Sequence, residues 1–281
     1  LNVIVTTQHA VLVVEIPSGE ILETLRLGGT NWHYSGVTWT DDHLFIACRN
    51  RCCHKVFVEQ WNHDLSLHAD QMLPEANSIH QMIWDEQEQR LWTANAGSDR
   101  IIGYRKTLLS PLVFEFGAGR DQWHINSVWC RGGDYLYVTA HNRDNGPSEL
   151  WILNKDGLKL SQWTLNRHAH NGCVLGQVNV WLDSLDSRIN EGELSVTIRE
   201  EHYLRGLAIT DTARVVGGSQ HTQARKIRRL DREAWLHVLD DEWQAMREPI
   251  ELHHGQIYDI RALDEPDLAH HCTPWTGRYG A

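Results

Sequence analysis

The apolar residues of this chain fall into short runs separated by polar turns, and the runs recur with a long period. The recurrent unit opens with His, passes through a short apolar strand, turns at Asp or Gly, and enters a second apolar strand before a polar loop. Its starts read HYSGVTW from His33, HQMIWDE from His80, HINSVWC from His124, HNGCVLG from His170, RGLAIT from Arg205 and HGQIYDI from His254. Successive starts are 47, 44, 46, 35 and 49 residues apart, room for four short strands with their turns. A period of about 40 to 50 residues belongs to propellers and related arrays. Second strands follow at 43–48, 90–95, 135–140, 178–183 and 213–218, rich in Val, Ile, Leu, Trp and Tyr as buried or half-buried strands are. A third strand at 149–154 leads through the Lys155-Asp156-Gly157 turn into a fourth at 158–165.

The last unit, from His254, has a first strand but too little sequence after it to complete a blade. The missing strands stand at the other terminus. LNVIVTTQ, AVLVVEI and GEILETLRL read as strands two, three and four, with Pro17-Ser18-Gly19 as a hairpin turn. Pairing the two ends would close the ring and remove an open sheet edge. The expected fold is therefore an all-β, six-bladed β-propeller closed by pairing of the N-terminal strands with a C-terminal strand. It forms one domain over residues 1–281, with 264–281 as a C-terminal tail. An open β-sandwich array or a seven-bladed ring is the competing arrangement. Residues 225–251 fit the pattern least, and DREAWLHVLDDEWQAMREP within them is read as containing a short helix.

The pattern His-x-x-apolar-apolar-Asp with LWxxN, together with the closing strand QIYDIRAL, is similar to NHL-repeat and SMP-30/gluconolactonase-type six-bladed propellers. The resemblance spans most of the chain and implies the architecture, which hosts unrelated functions. Gluconolactonase-type enzymes hold a divalent cation on the axis with Glu, two Asn and Asp. Those ligands are not carried over, because His or Arg opens the corresponding strands here. A second, partial resemblance is to carotenoid oxygenases, seven-bladed propellers whose four axial histidines hold a non-haem ferrous ion. That likeness is one of chemistry and placement: blade count and length differ, and the dome over the substrate tunnel has no counterpart.

Composition narrows the partners. Net charge is −11, which argues against nucleic-acid and anionic-membrane partners, since both favour clustered Lys and Arg. The one basic run, Arg225-Lys226-Ile227-Arg228-Arg229, reads as a solvated strand and loop. No run approaches the eighteen or so apolar residues of a membrane span, so the expectation is a soluble chain. Six cysteines, at 48, 52, 53, 130, 173 and 272, follow neither a disulfide framework nor a CxxC zinc pattern. They are read as free thiols, which places the protein in the cytoplasm. LNVIVTTQ reads as a strand of the fold and not as a signal segment, although a removed leader stays open. Thirteen Trp suit large buried sheet faces, whereas 18 His need a positional explanation.

The repeat supplies one. The innermost strand of each propeller blade lines the axis, so His33, His80, His124, His170 and His254, with Arg205, are expected to face one mouth of the channel. Second strands end on the same face and bring Gln8, Arg49, Asn95, His141, Asp183 and Gln220 to the next shell. Of these, Arg49, Asn95 and His141, with Arg205, are the expected substrate contacts. Several imidazoles without a carboxylate favour a transition metal, Fe2+, Zn2+, Cu2+ or Mn2+, over calcium or magnesium, and the resemblance to carotenoid oxygenases implies a slight preference for Fe2+. Three or four of the five histidines would be ligands, leaving an open position. Arg205 would face a substrate anion, or pair with Asp183 or Glu251.

The resulting expectation is a metal-dependent enzyme acting on a small molecule at the mouth, as an oxygenase or as a lactonase or esterase. The alternative is a non-catalytic propeller with structural histidines that binds a protein partner on the opposite face; metal sensing or storage is a third reading. A histidine opening a strand often does no more than bond a backbone carbonyl. His168 and His253 would exchange with their neighbours on a register error, His270, His271 and Cys272 belong to an irregular packed tail, and Cys173 faces away from the axis. There is no GxSxG, P-loop or GxGxxG motif, and Gly117-Ala118-Gly119 reads as a connecting loop.

Overall fold

A computed structural model describes residues 1–117, 121–131, 134–142, 146–220 and 233–280. The basic run 225–229 and residues 118–119 lie outside them. The described residues form six antiparallel four-stranded sheets arranged as a six-bladed β-propeller. Blade one comprises β4 (Trp32–Trp39), β5 (Leu44–Asn50), β6 (Val56–Trp61) and β7 (Leu67–Met72), and blade two β8 (Ile79–Asp85), β9 (Arg90–Asn95), β10 (Arg100–Arg105) and β11 (Leu112–Glu115). Blade three holds β12 (Ile125–Arg131), β13 (Tyr135–Ala140), β14 (Glu149–Asn154) and β15 (Lys159–Thr164). Blade four holds β16 (Ala169–Leu175), β17 (Val178–Asp183), β18 (Arg188–Glu191) and β19 (Leu194–Thr197). Blade five holds β20 (His202–Ile209), β21 (Arg214–Gln220), β22 (Ala234–Leu239) and β23 (Ile250–Leu252). Around the axis each inner strand touches the next, from β4 through β8, β12, β16 and β20 to β24 (Ile257–Ala262) and back to β4.

The sixth blade is the composite one. β24 pairs with β1 (Asn2–Thr7), Val3 opposite Ala262 and Val5 opposite Ile260, and β1 continues into β2 (Ala10–Glu15) and β3 (Ile21–Leu27). Val3, Val5, Leu12, Ile257 and Ile260 are fully buried and pack against Ala208, Val215 and Leu236 of blade five. Val3, Ile4 and Val5 of β1 are consecutive and all buried, Val3 and Val5 against blade five and Ile4 against blade one, because each blade is sandwiched between two others and both of its faces become core.

The expected helix in 231–249 is not formed by its described residues. Trp235 to Val238 lie in β22, bonded to β21 on one side and β23 on the other, and a turn follows. An alternating Trp-Leu-His-Val segment with a ladder partner on each side gains more as a strand than helix propensity offers.

The tail lies across the end of the channel opposite the mouth. Leu268 N–H donates to Ile209 O at 2.7 Å, Trp39 Nε1–H donates to Thr273 O at 2.9 Å, and Trp275 is fully buried. Beneath it four buried groups occupy the axis: Asp259, Arg261, Asp267 and His270. Arg261 meets Asp259 at 3.3 Å and donates to Met82 O at 2.6 Å. His270 donates from Nδ1 to Asp267 at 2.9 Å, and its Nε2 meets the Gln81 amide at 3.3 Å. Asp267 also accepts from the N–H groups of Ile209, Ala262 and Ala269. The predicted tail histidine is thus a structural bond, and the centre of the face assigned to a partner is covered by the chain itself. Removing one member of a buried, hydrogen-bonded charge network costs about 3–5 kcal/mol. Asp267→Ala should lower unfolding stability in urea by that order; a loss below about 1 kcal/mol would mean that the network does not hold the tail.

Candidate functional site

Register decides which side chains meet at the mouth. Val37, Met82, Val128, Cys173, Leu207 and Ile260 are equivalent positions of the six inner strands, paired with Ile46, Thr93, Val138, Val180, Val216 and Val5. Counted back from them, His33 and His124 lie four residues earlier, His170 three, His80 and Arg205 two, and His254 six. The predicted ring is therefore not a set of equivalents. A β-bulge interrupts the pairing of every inner strand near the mouth, between Tyr34 and Val37, Ile79 and Gln81, Ile125 and Ser127, His170 and Cys173, Leu204 and Leu207, and opposite Thr6 and Thr7. Each bulge inserts residues that re-aim side chains, so counting from the histidine loses the face. The equivalents of His80 and Arg205 are Ser35, Asn126, Asn171 and Tyr258. Asn126 and Asn171 bond the Ala169 carbonyl and Gly206 N–H of the neighbouring blades.

The structure nevertheless gathers most of the expected groups. His80 contacts His124 with ring centroids 4.9 Å apart, His124 contacts His141 at 5.2 Å, and His141 contacts His170 at 5.0 Å and His168 at 4.3 Å. His170 meets Tyr203 at 5.6 Å, and the Arg205 guanidinium lies 5.1 Å from both Tyr203 and Tyr258. Tyr258 closes the circle against His80 at 6.5 Å and carries His33 at 4.1 Å. A cavity of about 460 Å³ opens here. Its wall holds His33, His80 and His124, the guanidiniums of Arg49, Arg51 and Arg205, the Asp121 carboxylate and Tyr258.

Four expected residues, His254, Asn95, His141 and His170, lie off the cavity wall. His254 sits in the β23–β24 connection beside His253 and His9. Asn95 is fully buried with its amide donating to Thr93 Oγ1 at 2.9 Å. His141 stands behind His124, buried and outside the cavity wall. Of the two acids considered for Arg205, Asp183 accepts from Asn166 at 2.9 Å and Glu251 lies 3.7 Å from His253.

Two acidic residues not anticipated from sequence organise the wall. Asp99, fully buried at the end of a 3-10 turn (Ala96–Ser98), accepts the backbone N–H groups of Trp123 at 3.1 Å and His124 at 2.8 Å. It fixes a corner in which Asp99, Asp121 and His124 all adopt left-handed backbone, with φ of 52°, 55° and 49°. Non-glycine residues take this region at a cost that the surroundings must cover. The corner sets Asp121 Oδ1 2.7 Å from His124 Nδ1. A carboxylate there accepts, so His124 donates from Nδ1, and in the neutral ring Nε2 is the accepting nitrogen.

His170 is fixed in the same tautomer by other means. Its Nδ1 is 3.0 Å from the His168 carbonyl, which can only accept, and 2.8 Å from Ser184 Oγ, whose own hydrogen goes to Leu204 O at 2.6 Å. The His170 Nε2 lone pair is buried without a partner. Burial holds the pKa of His80 and His170 well below 6.5. For His80 the charges of His124 and then Arg205 add to this, and for His170 the charges of Arg205 and then His141. Both imidazoles are neutral at pH 7. Arg205 and Arg49 each bury an Nε–H that finds no acceptor among the described residues.

A transition metal finds no gathered ligand set in these side chains. Among the described residues, the one group of three or more His, Cys, Asp or Glu whose donor atoms lie within 4.8 Å is Asp240, Asp241 and Glu242, on the turn after β22. Three guanidiniums against one carboxylate beside the imidazoles also disfavour a cation.

No sequence-family profile matches the chain, and no curated protein matches it. Solved structures do. A chain of a nidogen/laminin complex is similar at a TM-score of 0.66 and 11% identity, covering 92% of this chain and 97% of its own. A Bacteroides caccae protein of unknown function is similar at 0.69 and 12%, with the same coverage. A structure described as a candidate gluconolactonase is similar at 0.57 and 13%, covering 83% and 82%. At these identities the likeness shows the fold, in agreement with the expected resemblance to six-bladed propellers. No helix among the described residues is long and apolar enough to cross a membrane.

A pH prediction follows from the buried imidazoles. His80 and His170 are joined by His202, lowered to about 4, and His237, lowered to about 3, both chiefly by burial. Their unfolded counterparts protonate near 6.5, so below that pH the unfolded chain binds more protons. Stability from these groups is complete above 6.5 and falls as pH drops toward the folded values, by up to about 1.4 kcal/mol per pH unit for each group still neutral. Urea unfolding at pH 7.5, 6.5, 5.5 and 4.5 should show that decline beginning below 6.5; a flat profile from 6.5 to 5.5 would contradict neutral buried imidazoles.

Proposed function

We propose that the channel mouth binds a small carboxylate- or phosphate-bearing molecule and that the Asp121–His124 pair acts on it as a general base. The observation that carries this reading is the pair of buried, acceptor-less Nε–H groups of Arg205 and Arg49 on one cavity wall. A buried N–H without an acceptor is costly, and a bound oxyanion is a natural partner for a guanidinium. Among the described residues the one carboxylate on that wall is Asp121, already engaged by His124. In a chain of net charge −11 the local excess of three arginines would also draw anions inward.

The chemistry needs few parts. His124 Nε2 takes a proton from a water molecule while the Asp121 carboxylate stabilises the imidazolium. The water oxygen attacks an acyl carbon of an ester or lactone, and a guanidinium faces the oxyanion that forms. As the intermediate collapses, the imidazolium returns its proton to the departing alkoxide. His80 and His170, kept neutral, add uncharged donors and acceptors beside the arginines.

Titration calorimetry with citrate and with inorganic phosphate tests the binding step. Arg205→Lys should weaken citrate by about tenfold or more, because a lysine ammonium cannot reproduce the guanidinium fork. Unchanged affinity in that variant, or no binding of either anion, would overturn the assignment. Turnover of a carboxylate-bearing ester such as p-nitrophenyl hemisuccinate should fall by about 10²-fold or more in His124→Gln. Citrate binding without such turnover would remove the general-base step.

A further inference from the structure

The β5–β6 hairpin rises at the lip of the cavity. Its strand end supplies Arg49 and its turn supplies Arg51, both on the cavity wall. The next two residues, Cys52 and Cys53, are both exposed free thiols. Their backbone N–H groups donate to the same acceptor, Asn50 Oδ1, at 2.9 and 3.3 Å. Asn50 N–H closes the hairpin on Lys55 O at 2.9 Å, Arg51 N–H reaches Asn31 O at 2.8 Å, and the Arg49 guanidinium lies 3.4 Å from His54 Nδ1. The conformation of the turn and the placing of the two arginines are therefore one problem.

We infer that Cys52 and Cys53 form a redox-responsive dithiol, closed to a vicinal disulfide by a low-molecular-weight disulfide such as oxidised glutathione, and that closure reshapes the lip carrying Arg49 and Arg51. The effect on ligand binding rests on the anion reading above; the covalent chemistry does not. One thiolate attacks a sulfur of the glutathione disulfide and expels a glutathione thiolate. The neighbouring cysteine then attacks the mixed disulfide and expels the second. One protein S–S bond forms, one glutathione S–S bond breaks, and the two protons leave with the two glutathione thiols.

Geometry sets the character of this bond. Adjacent Cα atoms are about 3.8 Å apart, short of the roughly 4.4–6.8 Å that an unstrained disulfide spans. A strained, exposed disulfide has a high potential and is readily reduced, as a reversible signal requires and a structural bridge does not. Closing the ring also rotates the 52–53 peptide, which breaks the paired hydrogen bonds to Asn50 and displaces Arg51 and the Arg49–His54 contact. The other four thiols do not compete. Cys48 and Cys173 are buried, and burial pushes Cys130 and Cys272 up to about 12, where thiolate is scarce.

The test incubates the full chain with reduced and oxidised glutathione at graded ratios, traps thiols with N-ethylmaleimide, and maps peptides by mass spectrometry. Expected is a peptide containing both Cys52 and Cys53 that has lost two hydrogens, takes up no maleimide, and reverts with dithiothreitol. Citrate affinity should fall by about tenfold on closure, the equivalent of one lost charge-assisted contact, and stay constant across redox states in Cys52→Ser/Cys53→Ser. Stable glutathione adducts without closure, or closure that changes neither citrate affinity nor the amide NMR shifts of Arg49 and Arg51, would overturn the inference. If the reduced chain binds no citrate, the anion reading fails while the peptide masses and amide shifts still decide the dithiol.

Discussion

The pairing of β24 with β1 is the constraint on which the rest of the molecule depends. It joins residues from the two ends of the sequence in one sheet, so the sixth blade is completed and β1 and β24 each find a ladder partner. Closure also fixes the diameter of the axis, and the axis is filled differently at its two ends. At one end Asp259, Arg261, Asp267 and His270 satisfy one another, with the tail drawn over them. At the other end the inner strands begin, bulge and part, leaving a cavity.

The mouth then follows from electrostatics in a partly desolvated bowl. Burial keeps His80 and His170 uncharged, and Arg205 lowers them further, so the positive charge stays on groups that cannot lose it. Tyr203 and Tyr258 flank the Arg205 guanidinium with their rings, and its buried Nε–H finds no acceptor among the described residues. Asp121 is the exception that matters: an acid on a cationic wall, held to His124 by a corner that the buried Asp99 carboxylate organises. These are the features of a site that admits an anion and keeps one imidazole able to take a proton.

The architecture was legible in the sequence because a propeller repeats its demands. Every blade needs an apolar inner strand, a second strand and turns at fixed distances, and the partial unit from His254 pointed to the strands at the N-terminus. The presence of imidazoles and Arg205 at one end was legible for the same reason. Their register was not. Each inner strand carries a bulge, and a bulge leaves no residue signature that distinguishes His124, on the cavity wall, from His254, in a connection beside His9. Asn95 was misplaced for a related reason, since the 3-10 turn after β9 turns its amide inward. Asp99 and Asp121 look like ordinary turn residues in GSDR and RDQWH, and only the fold brings one beneath the other. The strand at Ala234–Leu239 was obscured by flanking acidic residues that suit a helix, although its ladder partners are the strands just before and after it.

The central claim is that the Arg205 guanidinium waits at the mouth for an anion, beside imidazoles that stay neutral. Side-chain nitrogen NMR of arginine and histidine at pH 7, with and without citrate, tests it most directly. The account predicts an Arg205 Nε–H signal that shifts strongly on citrate addition, with His124 and His170 both protonated on Nδ1 and unprotonated on Nε2 before it. An Arg205 signal indifferent to citrate, or His170 doubly protonated at pH 7, would contradict it.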